Sequence, residues 1–362
     1  MPEPLDIVII GLSITSSWGN GHATTYRGLV RSLSEAGNRV LFLEQDVPWY
    51  SASRDLPNPP YGRTELYANL DDLRDRFLDE VRDADVVVVG SYVQDGIAVG
   101  DWVQRETRGV AAFYDIDTPV TLAKLREGAC EYLEPRQVRD YALYLSFSGG
   151  SSLDILRSKY DSPNPKPLYC SFDPDLYFPV EASADYDLAY MGTYSDDRQP
   201  TLEELLIQPA SRLADKKFAV AGPQYPNHIQ WPQNVRRIEH LPPQEHRAFY
   251  NRQCFTLNVT RQDMIRAGHS PSVRLFEAAA CGTPIISDYW DGLGELFEIG
   301  TEILVASGQN EVIEYLTGIP ESRRRQIGAA GRQRVVAEHT SAHRAEQLIG
   351  YVREAGREKV CR

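Results

Sequence analysis

The chain has 362 residues, and its length predicts two domains because domains usually contain roughly 100–200 residues. Hydrophobic residues make up 42% and charged residues 25%, as in globular proteins. The net charge of −13 disfavours direct binding to a nucleic-acid backbone. The sequence contains no run of about 18 apolar residues, so it predicts no membrane-spanning helix.

The N-terminus and the cysteines point to a cytoplasmic protein. The sequence "MPEPLDIVII" lacks the basic region of a signal peptide and enters a strand-like run directly. The five cysteines are an odd number without a C-x-x-C pair, which favours reduced thiols. No group of histidines and cysteines has metal-ligand spacing, so no metal site is predicted there.

The first half of the chain alternates strand and helix patterns. The segment 46–62 is rich in proline and asparagine, which predicts a long loop. Gly37 follows the last periodic residue of the first helix and predicts its end. Buried-strand patterns occupy residues 5–10, 39–45, 84–90, 109–115, 141–149 and 166–172, and helical patterns occupy residues 23–37 and 70–83.

The pattern restarts after a proline-punctuated stretch. Strands are predicted at 186–194, 217–222, 235–241, 255–261, 283–288 and 301–307, and helices at 202–215 (disturbed at Pro209), 272–282, 309–317, 321–338 and 341–357. Such repeated units predict an α/β fold with two Rossmann-like, doubly wound domains facing across a cleft. The predicted divisions are an N-terminal domain 1–172, a linker 173–186, a C-terminal domain 187–338 and a C-terminal helix 339–362 that packs back on the N-terminal domain.

The glycine-rich stretch "GLSITSSWGNGHATTYRG" lies between the first strand and the first helix. Gly19, Asn20 and Gly21 come too late after the strand for a dinucleotide fingerprint, and Thr24 occupies the place of its third glycine. Glu44 imitates the ribose-binding acid of such folds only weakly. The loop is long enough to reach into a cleft, and His22 at the helix start is a candidate base because an imidazole titrates near neutral pH.

The stretch "SVRLFEAAACGTPIIS" (272–287) carries the sharper signal. Ser272 is a candidate N-cap, and Arg274 adds a fixed charge to a helix N-terminus that favours anions. Glu277 can accept two hydroxyl hydrogens from a ribose. The alternative, an exposed helix carboxylate, is disfavoured by the apolar residues on either side.

This stretch and its continuation resemble the nucleotide-sugar-binding half of GT-B glycosyltransferases. The chain resembles more closely the CgeB-like branch, also described as spore-maturation-type glycosyltransferases. The resemblance rests on segments 17–46, 113–122, 190–206, 240–261, 272–287 and 337–348. It implies a nucleoside-diphosphate sugar as donor substrate, held mainly by the second domain, with no additional cofactor.

The resemblance also implies roles for single residues. Gly19, Asn20 and Gly21 would cover the diphosphate and sugar from the first domain. Many relatives carry a Glu-x7-Glu pair, but His269 replaces its first member here, so that carboxylate role does not transfer directly and His269 is a candidate contact to sugar or phosphate. Candidate donor contacts in the second domain are Gly192 and Thr193 in a turn, Arg198, Arg261 and Arg274 at the diphosphate, His240 and Leu241 at the base, Ser272 at the helix start and Glu277 at the ribose.

The sequence "DID" at 115–117 offers two carboxylates at the end of a strand. A divalent ion can bridge such a pair and a diphosphate, but arginines and helix dipoles usually offset that charge in two-domain transferases, so no metal is predicted. Both carboxylates are expected at the rim of the first domain. Asp117 is a candidate acceptor-binding residue or base.

The sequence therefore predicts sugar transfer from a nucleoside-diphosphate donor to a hydroxyl or similar acceptor. The catalytic candidates are His22 and Asp117, either of which is the base if the reaction inverts. The alternatives are an epimerase or phosphorylase on the same fold, or a nucleotide-sugar-binding protein without turnover. The base, the sugar, the acceptor (a small molecule, glycan, protein or modified nucleotide), the stereochemistry and the oligomeric state stay open.

Overall fold

The computed structural model describes residues 3–18 and 21–360. The chain divides into two compact units, Met1–Cys170 together with Ser341–Arg362, and Ser171–Thr340. The segment 173–186, predicted as a linker, lies within the second unit.

The first unit is built on a seven-stranded sheet in which every strand pair is parallel, in the order β3-β2-β1-β4-β5-β6-β7. Its strands are β1 Asp6–Gly11, β2 Arg39–Gln45, β3 Arg63–Tyr67, β4 Val86–Gly90, β5 Val110–Asp115, β6 Leu143–Ser146 and β7 Pro165–Pro167. Its helices are α1 His22–Glu35, α2 Pro48–Ser51, α3 Leu70–Asp83, α4 Gly96–Glu106, α5 Thr118–Glu127, α6 Pro135–Asp140 and α7 Ser151–Lys159.

Alternate residues of the central strands form two separate cores in this unit. Ile7 and Ile9 of β1 belong to one core, whereas Val8 and Ile10 belong to the other. Because successive strand side chains point to opposite faces, this alternation means that apolar residues cover the sheet on both sides. The predicted doubly wound arrangement is confirmed for this unit.

The second unit is built on a six-stranded sheet in the order β10-β9-β8-β11-β12-β13, again with only parallel pairs. Its strands are β8 Tyr186–Met191, β9 Phe218–Ala221, β10 Val235–Ile238, β11 Gln253–Asn258, β12 Ile285–Ser287 and β13 Leu304–Val305. Its helices are α8 Gln199–Leu202, α9 Gln208–Arg212, α10 Pro243–Asn251, α11 Gln262–Ala267, α12 Val273–Ala280, α13 Leu293–Leu296, α14 Gln309–Gly318 and α15 Glu321–Glu338.

The disturbance predicted at Pro209 takes the form of a π-helix, Glu203–Ile207, between α8 and α9. Proline has no N–H to donate and its ring crowds the preceding turn, so a wider turn before it relieves the clash.

The last helix, α16 (Ser341–Val360), belongs to the first unit. It packs against α1, where the Ser32 hydroxyl donates to the Ser341 hydroxyl over 2.9 Å. Leu348 and Val352 of α16 are buried in the same core as Ile7 and Ile9. In the described part of the chain, no helix combines the length and apolar character that a bilayer crossing requires.

Asp115, the last residue of β5, is a fully buried carboxyl group. Tyr144 Oη donates to its Oδ2 over 2.7 Å, and Thr121 Oγ1 donates to its Oδ1 over 2.7 Å. Burial raises the pKa of Asp115 to about 6, although these hydrogen bonds favour the charged form. The expectation that Asp115 lies at the rim of the domain is therefore wrong, because the side chain points into the protein interior.

The raised pKa predicts how stability depends on pH. Because folded Asp115 holds its proton up to about pH 6 and the unfolded residue loses it near 3.8, folded protein binds more protons between these values. The free energy of unfolding should therefore fall as the pH rises through this window, by up to about 3 kcal/mol from this group. Urea unfolding of the wild type and Asp115→Asn at several pH values measures the difference.

The Asp115→Asn variant should lack this part of the pH dependence, and the exposed Asp83→Asn should retain it. Parallel curves for the wild type and Asp115→Asn would contradict the assignment.

Candidate active site

The loop after β1 is held in place by Glu44 at the end of β2. Glu44 is fully buried, and its Oε2 accepts hydrogen bonds from the Ile14 N–H at 2.7 Å and the Thr15 N–H at 2.9 Å. Its Oε1 accepts from the hydroxyls of Ser13 and Thr15. This carboxylate is committed to the loop, which argues against a ribose-binding role and against the dinucleotide interpretation.

The loop leads to the start of α1. Gly19 and Asn20, two predicted donor contacts, lie outside the described residues. Gly21 is exposed and is the N-cap of α1, and His22 is its first residue, as predicted.

A cavity of about 720 Å³ lies beside this helix start, within the first unit. Its wall includes residues that follow the carboxyl ends of β1, β4 and β5, where ligands of parallel α/β sheets bind. The volume lies within the range of small-molecule sites. The lining residues are Leu12, Gly21, His22, Trp49, Tyr50, Tyr92, Val93, Gln94, Asp95, Asp117, Glu131 and Tyr132.

His22 lines this cavity as a half-buried, neutral imidazole. Its ring meets the ring of Tyr92 edge-on at 5.4 Å between centroids. Its buried Nδ1 has no hydrogen-bond partner among the described residues. Burial lowers the pKa of His22 to about 4, so the premise that it titrates near neutral pH is wrong. Near neutral pH the group is uncharged and has a lone pair available to a ligand hydroxyl.

Asp117 lies in the cavity wall at the N-cap of α5. Tyr92 Oη donates to Asp117 Oδ2 over 2.8 Å, and the ring of Tyr92 packs against that of Tyr132 at 4.6 Å. Tyr92 and Asp95 both have left-handed backbone conformations, with φ of 64° and 54°. Such strain in side-chain-bearing residues is common at functional sites.

Asp115 and Asp117 do not share a surface, because the first is buried and the second lines the cavity. Within the described part of the chain, no group of three or more His, Cys, Asp or Glu side chains could hold a metal ion.

In the second unit, the predicted turn Gly192–Thr193 directly follows β8. A Cβ atom on Gly192 would lie 2.4 Å from Tyr190 Oη, and one on Gly222 would lie 2.1 Å from the Gly192 carbonyl oxygen. Tyr225 Oη donates to that same carbonyl over 3.1 Å. The loop after β9 can approach the loop after β8 this closely only because residue 222 is glycine, whereas Gly192 leaves room for the Tyr190 side chain of its own strand.

The three predicted diphosphate contacts, Arg198, Arg261 and Arg274, form a cluster that we call the arginine cluster. Arg198 is only 7% exposed, and burial together with the positive charges of Arg274 and Arg261 lowers the pKa of its guanidinium. Its Nη2 donates to the Thr193 carbonyl over 2.6 Å, whereas its buried Nε has no hydrogen-bond partner in the described part of the chain.

The arginine cluster has an excess of positive charge. Among the described residues, none of its members forms an ion pair with a carboxylate. The neighbouring Asp197 offsets part of this charge. Burial raises its pKa, but hydrogen bonds from the Ser195 hydroxyl and the Gln262 N–H, together with the positive charges of Arg261 and Arg198, lower it overall. Like charges held together in a partly buried place repel, and an anionic ligand removes that repulsion.

The start of α12 carries one member of the arginine cluster, Arg274. Ser272 caps the helix, as predicted, by accepting from the Arg274 N–H at 3.4 Å. Arg274 Nη1 donates to Ser272 Oγ over 3.2 Å, and the guanidinium lies 5.7 Å from the ring centre of Tyr190. These contacts fix one cationic side chain beside a helix N-terminus, which favours anions.

Glu277 is buried rather than exposed, with 3% of its surface accessible. Tyr250 Oη donates to its Oε2 over 3.2 Å, and the nearby Tyr177 hydroxyl also favours the charged form of the carboxylate. Burial raises the pKa of Glu277 in spite of these contacts. The two tyrosines occupy part of its acceptor capacity, and the sequence gives no sign of them because they are distant in the chain. A ribose contact stays a prediction.

His269 and the predicted base contacts occupy different surroundings. His269 has a left-handed backbone (φ 46°), and its Nε2 lies 3.0 Å from Glu295 Oε1. The histidine that replaces the first glutamate of the Glu-x7-Glu pair therefore contacts a carboxylate, that of Glu295. His240 is exposed and Leu241 half-buried, between β10 and α10, so both are accessible. Their donor-binding roles stay predictions.

Comparisons with known proteins bear on this arrangement. Residues 198–350, less than half of the chain, match the family described as glycosyl transferase-like. No curated protein sequence matches significantly.

Three solved structures are similar over nearly the whole chain. Sucrose-phosphate synthase from Thermosynechococcus elongatus has a TM-score of 0.70 at 14% identity, covering 96% of this chain and 98% of that one. Anabaena HepE in complex with UDP-glucose has a TM-score of 0.68 at 13% identity, covering 96% and 99%. An alpha-glucosyltransferase in complex with UDP and a DNA containing a HMU base has a TM-score of 0.70 at 12% identity, covering 97% and 100%.

These likenesses confirm the predicted GT-B fold. Together with the family match, they support the predicted class of enzyme, a glycosyltransferase.

Proposed function

We propose that the protein is a metal-independent glycosyltransferase of the CgeB-like branch, which moves a sugar from a nucleoside-diphosphate donor to an acceptor held by the first unit. The observation that carries the proposal is the arginine cluster, which has an excess of positive charge at the carboxyl edge of a parallel sheet. A diphosphate supplies the missing negative charge. The match of this segment to a glycosyl transferase-like family supports the same assignment.

In the proposed reaction, the bond between the anomeric carbon and the diphosphate oxygen breaks, and its electron pair stays with the diphosphate. Arg198, Arg261 and Arg274 stabilise the charge that develops there. Guanidinium groups thereby do what a divalent cation does in other sites, which is the reason for proposing a metal-independent reaction. Glu277 and the segment His240–Leu241 hold the nucleoside, and UDP is the first probe because one similar structure contains UDP and another contains UDP-glucose.

The acceptor oxygen forms the new bond to the anomeric carbon and gives up its proton. In an inverting reaction, we propose that Asp117 takes this proton, because it is a carboxylate in the wall of a ligand-sized cavity. The neutral His22 orients the acceptor hydroxyl. In a retaining reaction, the departing diphosphate takes the proton and both residues position the acceptor. The anomeric configuration of the product distinguishes the two courses.

Replacing an arginine of the arginine cluster should weaken nucleotide binding. Arg198→Ala and Arg274→Ala should each weaken UDP binding roughly 10- to 100-fold, because a hydrogen bond to a charged group is worth about 1.5–3 kcal/mol. Isothermal titration calorimetry measures this directly, with Arg212→Ala, an exposed arginine of the same unit, as the matched control. Unchanged affinity in both cluster variants would contradict the proposed donor site.

Replacing Asp117 should lower turnover without weakening nucleotide binding. Asp117→Asn keeps an acceptor for the Tyr92 hydroxyl but removes the base, so UDP release from UDP-glucose should fall about 10²- to 10⁴-fold if the reaction inverts. UDP affinity should be unchanged. Asp154→Asn, a carboxylate on the exposed side of α7, is the control, and equal turnover in the wild type and Asp117→Asn would refute the base assignment.

The proposed role of the arginines also predicts insensitivity to metal removal. Dialysis against EDTA should leave the rate of UDP release unchanged. A rate that falls in EDTA and returns on addition of Mg²⁺ or Mn²⁺ would show that a cation takes part.

A further inference from the structure

The charged side chains that line the cavity of the first unit are all acidic. Three carboxylates line it, those of Asp95, Asp117 and Glu131. Among its lining residues that the structure describes, there is no arginine or lysine. The imidazole of His22 adds no positive charge near neutral pH because burial lowers its pKa to about 4. Three carboxylates would repel an anion entering this cavity.

One ammonium group lies close to the cavity without lining it. Lys124 Nζ lies 5.5 Å from the ring centre of Tyr92, 5.7 Å from that of Tyr132 and 4.0 Å from Glu131 Oε2. A single lysine offsets at most one of the three carboxylates. Its position also shows that these two rings accept a cation at their faces.

Asp95 is the lining carboxylate most available to a ligand. It is exposed, and it is the N-cap of α4 without a side-chain hydrogen bond to that helix. Its carbonyl accepts the Val99 N–H, but its carboxylate makes no hydrogen bond or ion pair with any residue that the structure describes. Its carboxylate is therefore free to pair with a cationic group of the ligand.

The remaining wall is aromatic. Trp49, Tyr50, Tyr92 and Tyr132 line the cavity, and aromatic faces pack well against the apolar C–H face of a saturated ring. The ligand that satisfies both parts of the wall has a flat apolar face, hydroxyl groups for the carboxylates and His22, and at least one positive charge.

We propose that the acceptor is a polyhydroxylated amine, that is, a sugar or cyclitol ring that carries ammonium groups. This inference rests on the proposed function, because it names the substrate class of the site assigned there to the acceptor. An ammonium group pairs with Asp95 and Glu131, and a hydroxyl lies beside Asp117 for transfer. The ring packs against the accessible aromatic side chains Trp49 and Tyr92. Phosphorylated acceptors and nucleic acids are disfavoured by the same charges.

The test uses three ring compounds of similar size and different charge, namely 2-deoxystreptamine, myo-inositol and glucuronate. Ligand-observed NMR with the full chain and UDP measures their dissociation constants. The diamine should bind about tenfold or more tightly than myo-inositol, as two ion pairs at the surface allow, and its affinity should fall with added salt. Glucuronate should bind more weakly than myo-inositol.

Variants assign the effect to the cavity. Asp95→Asn should weaken binding of the diamine up to about fivefold and leave myo-inositol binding unchanged. The double variant Asp95→Asn, Glu131→Gln should remove most of the preference for the diamine. Asp154→Asn, which lies outside the cavity, should change neither affinity.

Equal binding of 2-deoxystreptamine and myo-inositol, tighter binding of glucuronate, or no binding of the diamine at millimolar concentration would overturn the inference. UDP affinity measured on the same samples separates this result from a failure of the proposed function. If UDP binds and the diamine shows no preference, the acceptor class alone is wrong. If UDP and other nucleoside diphosphates fail to bind, the proposed function is wrong as well.

Discussion

The repulsion among three guanidinium groups in the second unit is the constraint on which the account depends. Like charges held near one another repel, and Arg198 is also buried away from solvent; both effects lower the pKa of its guanidinium. Such a cluster is costly unless a ligand neutralises it. The surrounding structure holds the charges in place, because Thr193 accepts a hydrogen bond from Arg198 and Ser272 accepts one from Arg274. The proposed donor site would therefore be preorganised for an anion.

The first unit uses the same sheet architecture to present the opposite charge. Its cavity is lined by carboxylates and aromatic rings, and Glu44 holds the loop after β1 beside it. Asp95 and Asp117 lie in segments that follow strands of the first sheet, and Arg198 and Arg261 lie in segments that follow strands of the second. The carboxyl ends of parallel strands are where an α/β sheet leaves its backbone and side chains accessible to ligands. In the proposed assignment, one fold supplies a donor site for an anion and an acceptor site that prefers a cation.

Local patterns predicted the elements well where apolar spacing and helix signals agree. The predicted strand 39–45 and helices 70–83 and 321–338 have the bounds that the structure shows. The edge strand β3 escaped prediction because its charged residues Arg63 and Glu65 interrupt any apolar run. The surroundings of several site residues could not be predicted, because the contacting groups lie far away in the sequence. Tyr250 contacts Glu277, the loop after β1 donates hydrogen bonds to Glu44, and Tyr144 donates one to Asp115.

Calorimetric titration of the wild-type chain with UDP and with uridine tests the central claim most directly, because the two ligands differ only in the diphosphate. If the arginine cluster binds that group, UDP should bind roughly a hundredfold or more tightly than uridine, and its affinity should fall as salt is added. Equal affinity for the two ligands, or an affinity for UDP that does not respond to salt, would contradict the account.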